Sequence, residues 1–286
     1  MMKILEKEIE KYKLLEKGDY TYYAVDLTKE EFSPEHPIIK GCREVEASIW
    51  NPREDFDVFY KKCDIISFIV YQDEIIGFTL ISAWIEDIYG IAVCEEIMIR
   101  CEHHGKGLTN KLGWLSVHFL LRYYSMTGRI KQVVGLGLSV NPKTMLMLYR
   151  RKWLAPETTF TPTDILRKVA WHYVNHHKYT PLDEDNPFFL KGVYPGSHKT
   201  LGAMRNEDIL LKYGPPGFDY KKRGDCMVAM ARHYLRLGRL ITNIAMLFLF
   251  GPKVFLYKNL GWKLWEPKSN PLNHSYQGNN TSNNNG

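Results

Sequence analysis

The chain lacks any Cys-x-x-Cys pair, and its cysteines, Cys42, Cys63, Cys94, Cys101 and Cys226, are odd in number. That speaks against a disulfide framework and for a reducing compartment. A nucleoside-triphosphate loop of the form Gly-x-x-x-x-Gly-Lys-Ser/Thr is missing, and so is zinc-finger spacing. His172, His176 and His177 have an i, i+4 spacing but no accompanying Glu motif or Cys cluster, so no metal is expected. Residues 1–20 alternate Lys and Glu without an apolar core, unlike a secretory leader, and the expected location is cytoplasmic. The most apolar run, about 240–257, is interrupted by Asn243, Gly251, Pro252 and Lys253. It falls short of the roughly 20 apolar residues that a membrane-spanning helix needs.

What is present is a globular composition. With 286 residues, 45% of them hydrophobic and 24% charged, the chain can bury a sizeable core. Its net charge of +6 favours anionic ligands, although nothing in the sequence singles out nucleic acid. Residues 3–17 read as a short charged helix and 20–27 as a first strand. A helical region ends near Cys63. Two apolar runs, 64–71 and 74–84, flank Gln72-Asp73 as a hairpin. A further strand spans 89–99. A long helix then runs from Leu108 to about Thr127, with Leu112, Leu115, Phe119 and Tyr123 on one side. Beyond it come a strand at 132–140, a short helix at 143–153, a helix to about Asn175 and a strand at 188–194. The stretch 225–250 reads as an apolar helix with Arg232, Arg236, Arg239 and Asn243 in a polar stripe. From Ser269 the chain is rich in Asn, Ser and Gly and is expected to be disordered.

The chemically informative stretch is Cys94-Glu-Glu-Ile-Met-Ile-Arg-Cys-Glu-His-His-Gly-Lys-Gly-Leu-Thr-Asn110. An apolar strand ends at Ile99, Gly105 and Gly107 follow, and a helix opens at once. Glycines let backbone N–H groups turn inward, and a new helix leaves its first N–H groups unpaired at a positive dipole end. Together they make a pyrophosphate cradle with Lys106 at its rim. Some thirty residues on stands Gln132-Val-Val-Gly-Leu-Gly-Leu-Ser-Val-Asn-Pro-Lys-Thr-Met-Leu-Met-Leu-Tyr149, a buried strand followed by a helix capped by Asn141 with Pro142 at its first position.

This order of elements resembles the GNAT superfamily of acyl-CoA-dependent N-acyltransferases, clearly over about residues 60–155. The family's loop, Val-x-Pro-x-x-Arg-Gly-x-Gly, stands here as Ile99-Arg-Cys-Glu-His-His-Gly-Lys-Gly107. Cys101 replaces the usual Pro, Glu102 the usual Arg or Gln, and His104 the usual Arg. The resemblance implies an α/β fold of the α+β kind, with a mixed, mostly antiparallel central sheet flanked by helices. It implies a GNAT-like domain over 1–200, followed by an apolar and basic helical extension over 201–268 and a disordered tail over 269–286.

The same resemblance implies acetyl-CoA or another acyl-CoA as co-substrate and no metal. Backbone groups of Met98, Ile99, Arg100 and Cys101 would pair with the pantetheine arm. His104, Gly105, Lys106, Gly107, Leu108 and Thr109 would hold the pyrophosphate, and Asn141 could reach the cofactor. Tyr149 matches the tyrosine that protonates the leaving thiolate, a role suited to a phenol with pKa near 10. A carboxylate on the motif strand serves as base. Neighbours on a regular strand face opposite sides, so only one of Glu95 and Glu96 is expected in the cleft. Glu96 is chosen, because Ile97 and Ile99 share the face of Glu95 and should pack on the long helix.

Three readings follow. The chain is an N-acetyltransferase acting on a small-molecule or protein amine. Alternatively, it uses a longer acyl chain from CoA or an acyl carrier protein, with 225–260 shielding that chain or touching a membrane surface. In the third, the altered loop binds acyl-CoA without turnover.

Overall fold

The computed structural model describes residues 9–49, 60–126, 130–139, 164–194, 215–220 and 222–234, together with Phe56, Ile244, Ala245 and Phe248. The strands are β1 (Lys13–Lys17), β2 (Tyr20–Asp26), β3 (Ile65–Tyr71), β4 (Glu74–Glu86), β5 (Tyr89–Ile99), β6 (Gln132–Ser139), β7 (Thr180–Asp183), β8 (Asn186–Lys191) and β9 (Cys226–Tyr234). They form one sheet in the order β1-β2-β3-β4-β5-β6-β9-β8-β7. Only β5 and β6 pair in parallel among the described strands, and the helix between them makes the crossover that a parallel pair requires. This is the mixed, mostly antiparallel architecture expected. Gln72 and Asp73 both take positive φ, 47° and 64°, as a tight hairpin between β3 and β4 demands.

Three longer helices among the described residues cover the sheet. Helix α1 (Pro37–Ile49) buries Ile38, Ile39, Cys42 and Val45 against Phe68, Phe78, Leu80 and Met98. Helix α2 (Leu108–Met126) buries Leu108, Leu112 and Leu115 against Ile69, Ile76 and Ile99. The Tyr124 ring of α2 fills the space over Gly90, where a Cβ would come within 2.7 Å of it. Helix α3 (Asp164–His177) stacks His172 on Trp84, with ring centroids 5.3 Å apart. On β4, Leu80 packs with α1 and Trp84 with α3, and residues 80, 82 and 84 point the same way. So α1 and α3 share one face of the sheet, and α2 covers the other. The side chains of Phe119 and Tyr123 lie outside the described residues.

Two expectations are corrected. Lys13–Lys17 is an edge strand rather than part of a helix. Its charges, with Lys13 paired to Glu10 and Glu16, keep that edge from recruiting another chain. Residues 226–234 likewise form a strand, not a helix. β9 pairs with β6 from Gln132↔Tyr234 to Ser139↔Met227 and with β8 through Phe189↔Met227. Cys226 through Met230 are fully buried, so this part of 225–260 is not a membrane-surface element. A strand covered on both faces reads as a continuous apolar run, which periodicity cannot separate from a buried helix. The sheet therefore extends past residue 200, the boundary at which the first domain was expected to end. Among the described residues, no helix is long and apolar enough to cross a membrane.

Candidate functional site

The β5–β6 ladder runs from Tyr89↔Gln132 to Cys94↔Gly137 and stops there. β5 continues to Ile99, while Leu138 and Ser139 of β6 pair only with β9. The β6-facing edge of residues 97–99 thus has no neighbouring strand among the described residues. The cause lies on the other side of β5. Leu80 of β4 faces Glu96 and Ile81 faces Cys94, so Glu95 is an extra residue, a β-bulge. A bulge bends its strand and increases the local twist. The Thr79 hydroxyl donates to the Glu96 carbonyl at 2.7 Å and helps hold the bulge.

The bulge also overturns the alternation expected for the two glutamates. Ile97 and Ile99 do pack on α2, but Glu95 does not follow them. Its Oε2 accepts a 2.7 Å hydrogen bond from the Tyr173 hydroxyl of α3, and its Oε1 lies 3.5 Å from His177 Nε2. Glu96 turns toward α1: with Glu46 it adds to the effect of burial in pushing the Cys42 thiol up. Both glutamates therefore sit on the face shared by α1 and α3, and both are buried. Asp64, just before β3, joins this acidic region. Burial, with Asp26 and Glu95 adding charge, pushes its carboxyl up to about 7, although its Oδ2 accepts the Ala83 N–H at 2.6 Å.

Below the free edge lies the glycine loop. Gly105 and Gly107 have φ of +79° and +70°, with open space where a Cβ would stand. The left-handed backbone, not crowding, requires glycine at both. Lys111 N–H bonds back to the Gly107 carbonyl, and no acid lies in the first turn of α2. Lys111 itself is held below its usual range by burial and by nearby Lys17. The helix opening is thus an amide-rich, basic corner.

The loop's other residues hold it in shape. His104 Nε2 donates to the Ile99 carbonyl at 2.8 Å, so this exposed residue ties the loop to the strand end. Arg100 donates its N–H to the Ile76 carbonyl and sends its guanidinium to Glu44 and Glu74. His103 is buried against Tyr71 and Tyr20, with the Tyr20 hydroxyl 3.4 Å and Lys106 Nζ 3.5 Å from its Nδ1. Burial, then Lys106, lowers its pKa. Met98 is buried and Cys101 is exposed. Asn141 and Tyr149 lie outside the described residues.

Sequence reasoning missed four contributors. Tyr20 and Tyr71 line the loop's underside. Tyr173 and His177 meet Glu95 from nearly eighty residues away, where the only sequence signal was the histidine spacing. Among the described residues, no group of three or more His, Cys, Asp or Glu is arranged to hold a metal.

No protein-family model matches the chain, and no curated protein does. Among the solved structures that its shape matches are acetyltransferases of the GNAT family. One is an acetyltransferase from Elizabethkingia anophelis with acetyl-CoA bound, at 12% identity over 76% of this chain and all of that one, with a TM-score of 0.38. Another is the ribosomal-protein-S18-alanine N-acetyltransferase of Escherichia coli, at 8% identity over 74% of this chain and 93% of that one, TM-score 0.35. A third is N-acetylglutamate synthase from Neisseria gonorrhoeae, complexed with coenzyme A and N-acetyl-glutamate, at 11% identity over 76% of this chain and 36% of that one, TM-score 0.34. At such identities and TM-scores, no residue's role is carried over from them.

Proposed function

We propose that the chain is an acyl-CoA-dependent N-acyltransferase, most simply an N-acetyltransferase, that works by direct attack of an amine on the thioester. The observation that carries this reading is the end of the β5–β6 ladder at Cys94, just before a strand edge that runs into the Gly105–Gly107 helix opening. An extended, amide-bearing arm can lie along that edge as a further strand, beside Met98 to Cys101. Its pyrophosphate then reaches the N–H groups from Gly105 to Thr109, where helix dipole and Lys106 favour negative charge.

The chemistry follows from the bulge. It sets Glu95 and Glu96 on one face where the ladder ends, and a carboxylate there takes a proton from the acceptor ammonium so that the neutral amine can attack. Tyr149 is proposed as the acid for the departing thiolate. The cysteines Cys42, Cys63, Cys94, Cys101 and Cys226 are all free, which supports a cytoplasmic setting.

The test is thiol release from acetyl-CoA with a panel of amines. Glu95→Gln, Glu96→Gln and Tyr149→Phe are measured beside the wild type. Loss of either essential proton-transfer group should cost about 10²–10⁴ in turnover, with acetyl-CoA binding retained. Full turnover in both glutamate variants would remove the carboxylates from the chemistry.

A further inference from the structure

Glu95 is enclosed between β5 and α3. Its side chain is only 1% exposed, so a proton accepted there has no direct route to water. One oxygen, Oε2, is taken by Tyr173. The other, Oε1, is buried and without a hydrogen-bond partner, and His177 Nε2 stands 3.5 Å from it. An unmade hydrogen bond at a buried carboxylate is costly, so its retention calls for an explanation. Tyr173 cannot carry the proton onward. Burial, then the charge of Glu95, raises its phenol far above the usual range, and it stays a donor.

His177 is different. It is the last residue of α3. Its side chain is 8% exposed, and its ring lies 4.9 Å from that of His176, which is exposed. Tyr179 stacks on its other side at 5.2 Å.

We propose that His177 is a proton-relay residue of the acyltransfer site, taking from Glu95 the proton that Glu95 removes from the acceptor amine. The proposal rests on the acyltransferase reading above. One proton leaves the ammonium for Glu95 Oε1, the neutral nitrogen attacks the thioester carbonyl, the C–S bond breaks, and the nitrogen's second proton reaches the departing thiolate by way of Tyr149. The proton on Glu95 then passes to His177 Nε2. The imidazolium releases its Nδ1 proton to water beside His176, and exchange with solvent restores the starting tautomer. Tyr173 is a positioning residue that holds Oε2 and aims Oε1 at the ring.

Titratable groups among the described residues face this pair. Around Glu95 stand Cys63 and Asp64, which precede β3, Cys94 and Glu96 on β5, and Tyr173 and His177 on α3. Around His177 stand Glu95, Tyr173, His176 and Tyr179. His172 and Lys62 act on His176 and lower its pKa only after burial and His177 do.

The experiment measures acetyl transfer from acetyl-CoA to spermidine, tyramine and an alanine tripeptide between about pH 6 and pH 9, where imidazoles titrate. His177→Gln keeps a polar side chain of similar reach beside Oε1 but cannot carry a proton. It should lose about tenfold or more in kcat/KM for the amine at neutral pH, with acetyl-CoA KM unchanged. His177→Ala should be partly rescued by added imidazole. In a Glu95→Gln background, His177→Gln should cost nothing further, because the two act in series. A wild-type rate and pH profile in His177→Gln overturns the relay. So does an equal loss at every pH with additive loss in the double variant, the mark of a merely structural residue. Should His177→Ala fail to fold, the Gln variants alone decide. If wild-type protein shows no stabilisation by acetyl-CoA in a thermal melt, the acyltransferase reading itself has failed, a separate outcome.

Discussion

Asp64 is a single side chain with a measurable signature. Its carboxyl sits at about 7 in the folded chain, against an ordinary value near 3.9 when unfolded. A carboxyl whose pKa rises on folding binds its proton more tightly in the folded state. Its contribution to stability therefore falls as pH climbs from about 4 to about 7 and is flat above that. Asp64→Asn can still accept the Ala83 N–H and never pays for a buried charge. The variant should gain on the wild type between pH 5 and pH 8, by up to about 4 kcal/mol, in paired denaturant titrations. A stability difference that does not change with pH would show that Asp64 is ionised normally. At this scale the sequence was only partly legible. Gly105 and Gly107 announce their conformation by residue type, and both have the positive φ that their spacing suggests. The partners of Glu95 do not announce themselves. A bulge leaves no mark in a run such as Cys94-Glu95-Glu96-Ile97, so regular alternation misplaced Glu95, and His177 stood out only as a metal candidate.

Among elements, β9 is the instructive one. Its Cys-Met-Val-Ala-Met-Ala sequence fits a buried helix as well as a buried strand, and the basic residues that follow it tipped the reading to helix. Only the pairing with β6 and β8 decides, and those contacts are long-range in sequence. The β3–β4 hairpin, β5 and the start of α2 were legible because their signals are local: a two-residue turn, a β-rich run, a glycine-led helix opening. The placement of β9 is open to hydrogen exchange. Amides of residues 227–230 should be among the slowest to exchange, since this strand is interior to the sheet and buried. Those of β1, at the edge, should exchange far sooner. Fast exchange across 227–230 would contradict the sheet order.

For the whole molecule, the sheet joins residues that sequence reading had assigned to separate units. A fragment ending at residue 200 keeps β6, β7 and β8 but loses the strand that stands between β6 and β8. It also strips cover from Val134, Leu136, Phe188 and Phe189, all buried in one core with β9. Such a fragment should lack a cooperative melt and be rapidly proteolysed, whereas the full chain should melt cooperatively. A fragment 1–200 that melts as sharply as the full chain would restore the boundary at residue 200. The overall +6 charge and the carboxylates gathered at the bulge fit one division of labour, with the basic helix opening for an anionic donor and the acidic face for an amine. The claim on which all of this rests is that the corner formed by the β5 edge and the Gly105–Gly107 loop holds a CoA thioester. The most direct measurement is a thermal melt of wild type and Gly105→Val with and without acetyl-CoA. Binding to the folded state alone should stabilise the wild type by about 2.7 kcal/mol at a hundredfold excess over Kd. Gly105→Val, whose backbone cannot comfortably hold φ near +79°, should fold but show no such gain. Equal stabilisation of both proteins, or none of the wild type, would contradict the account.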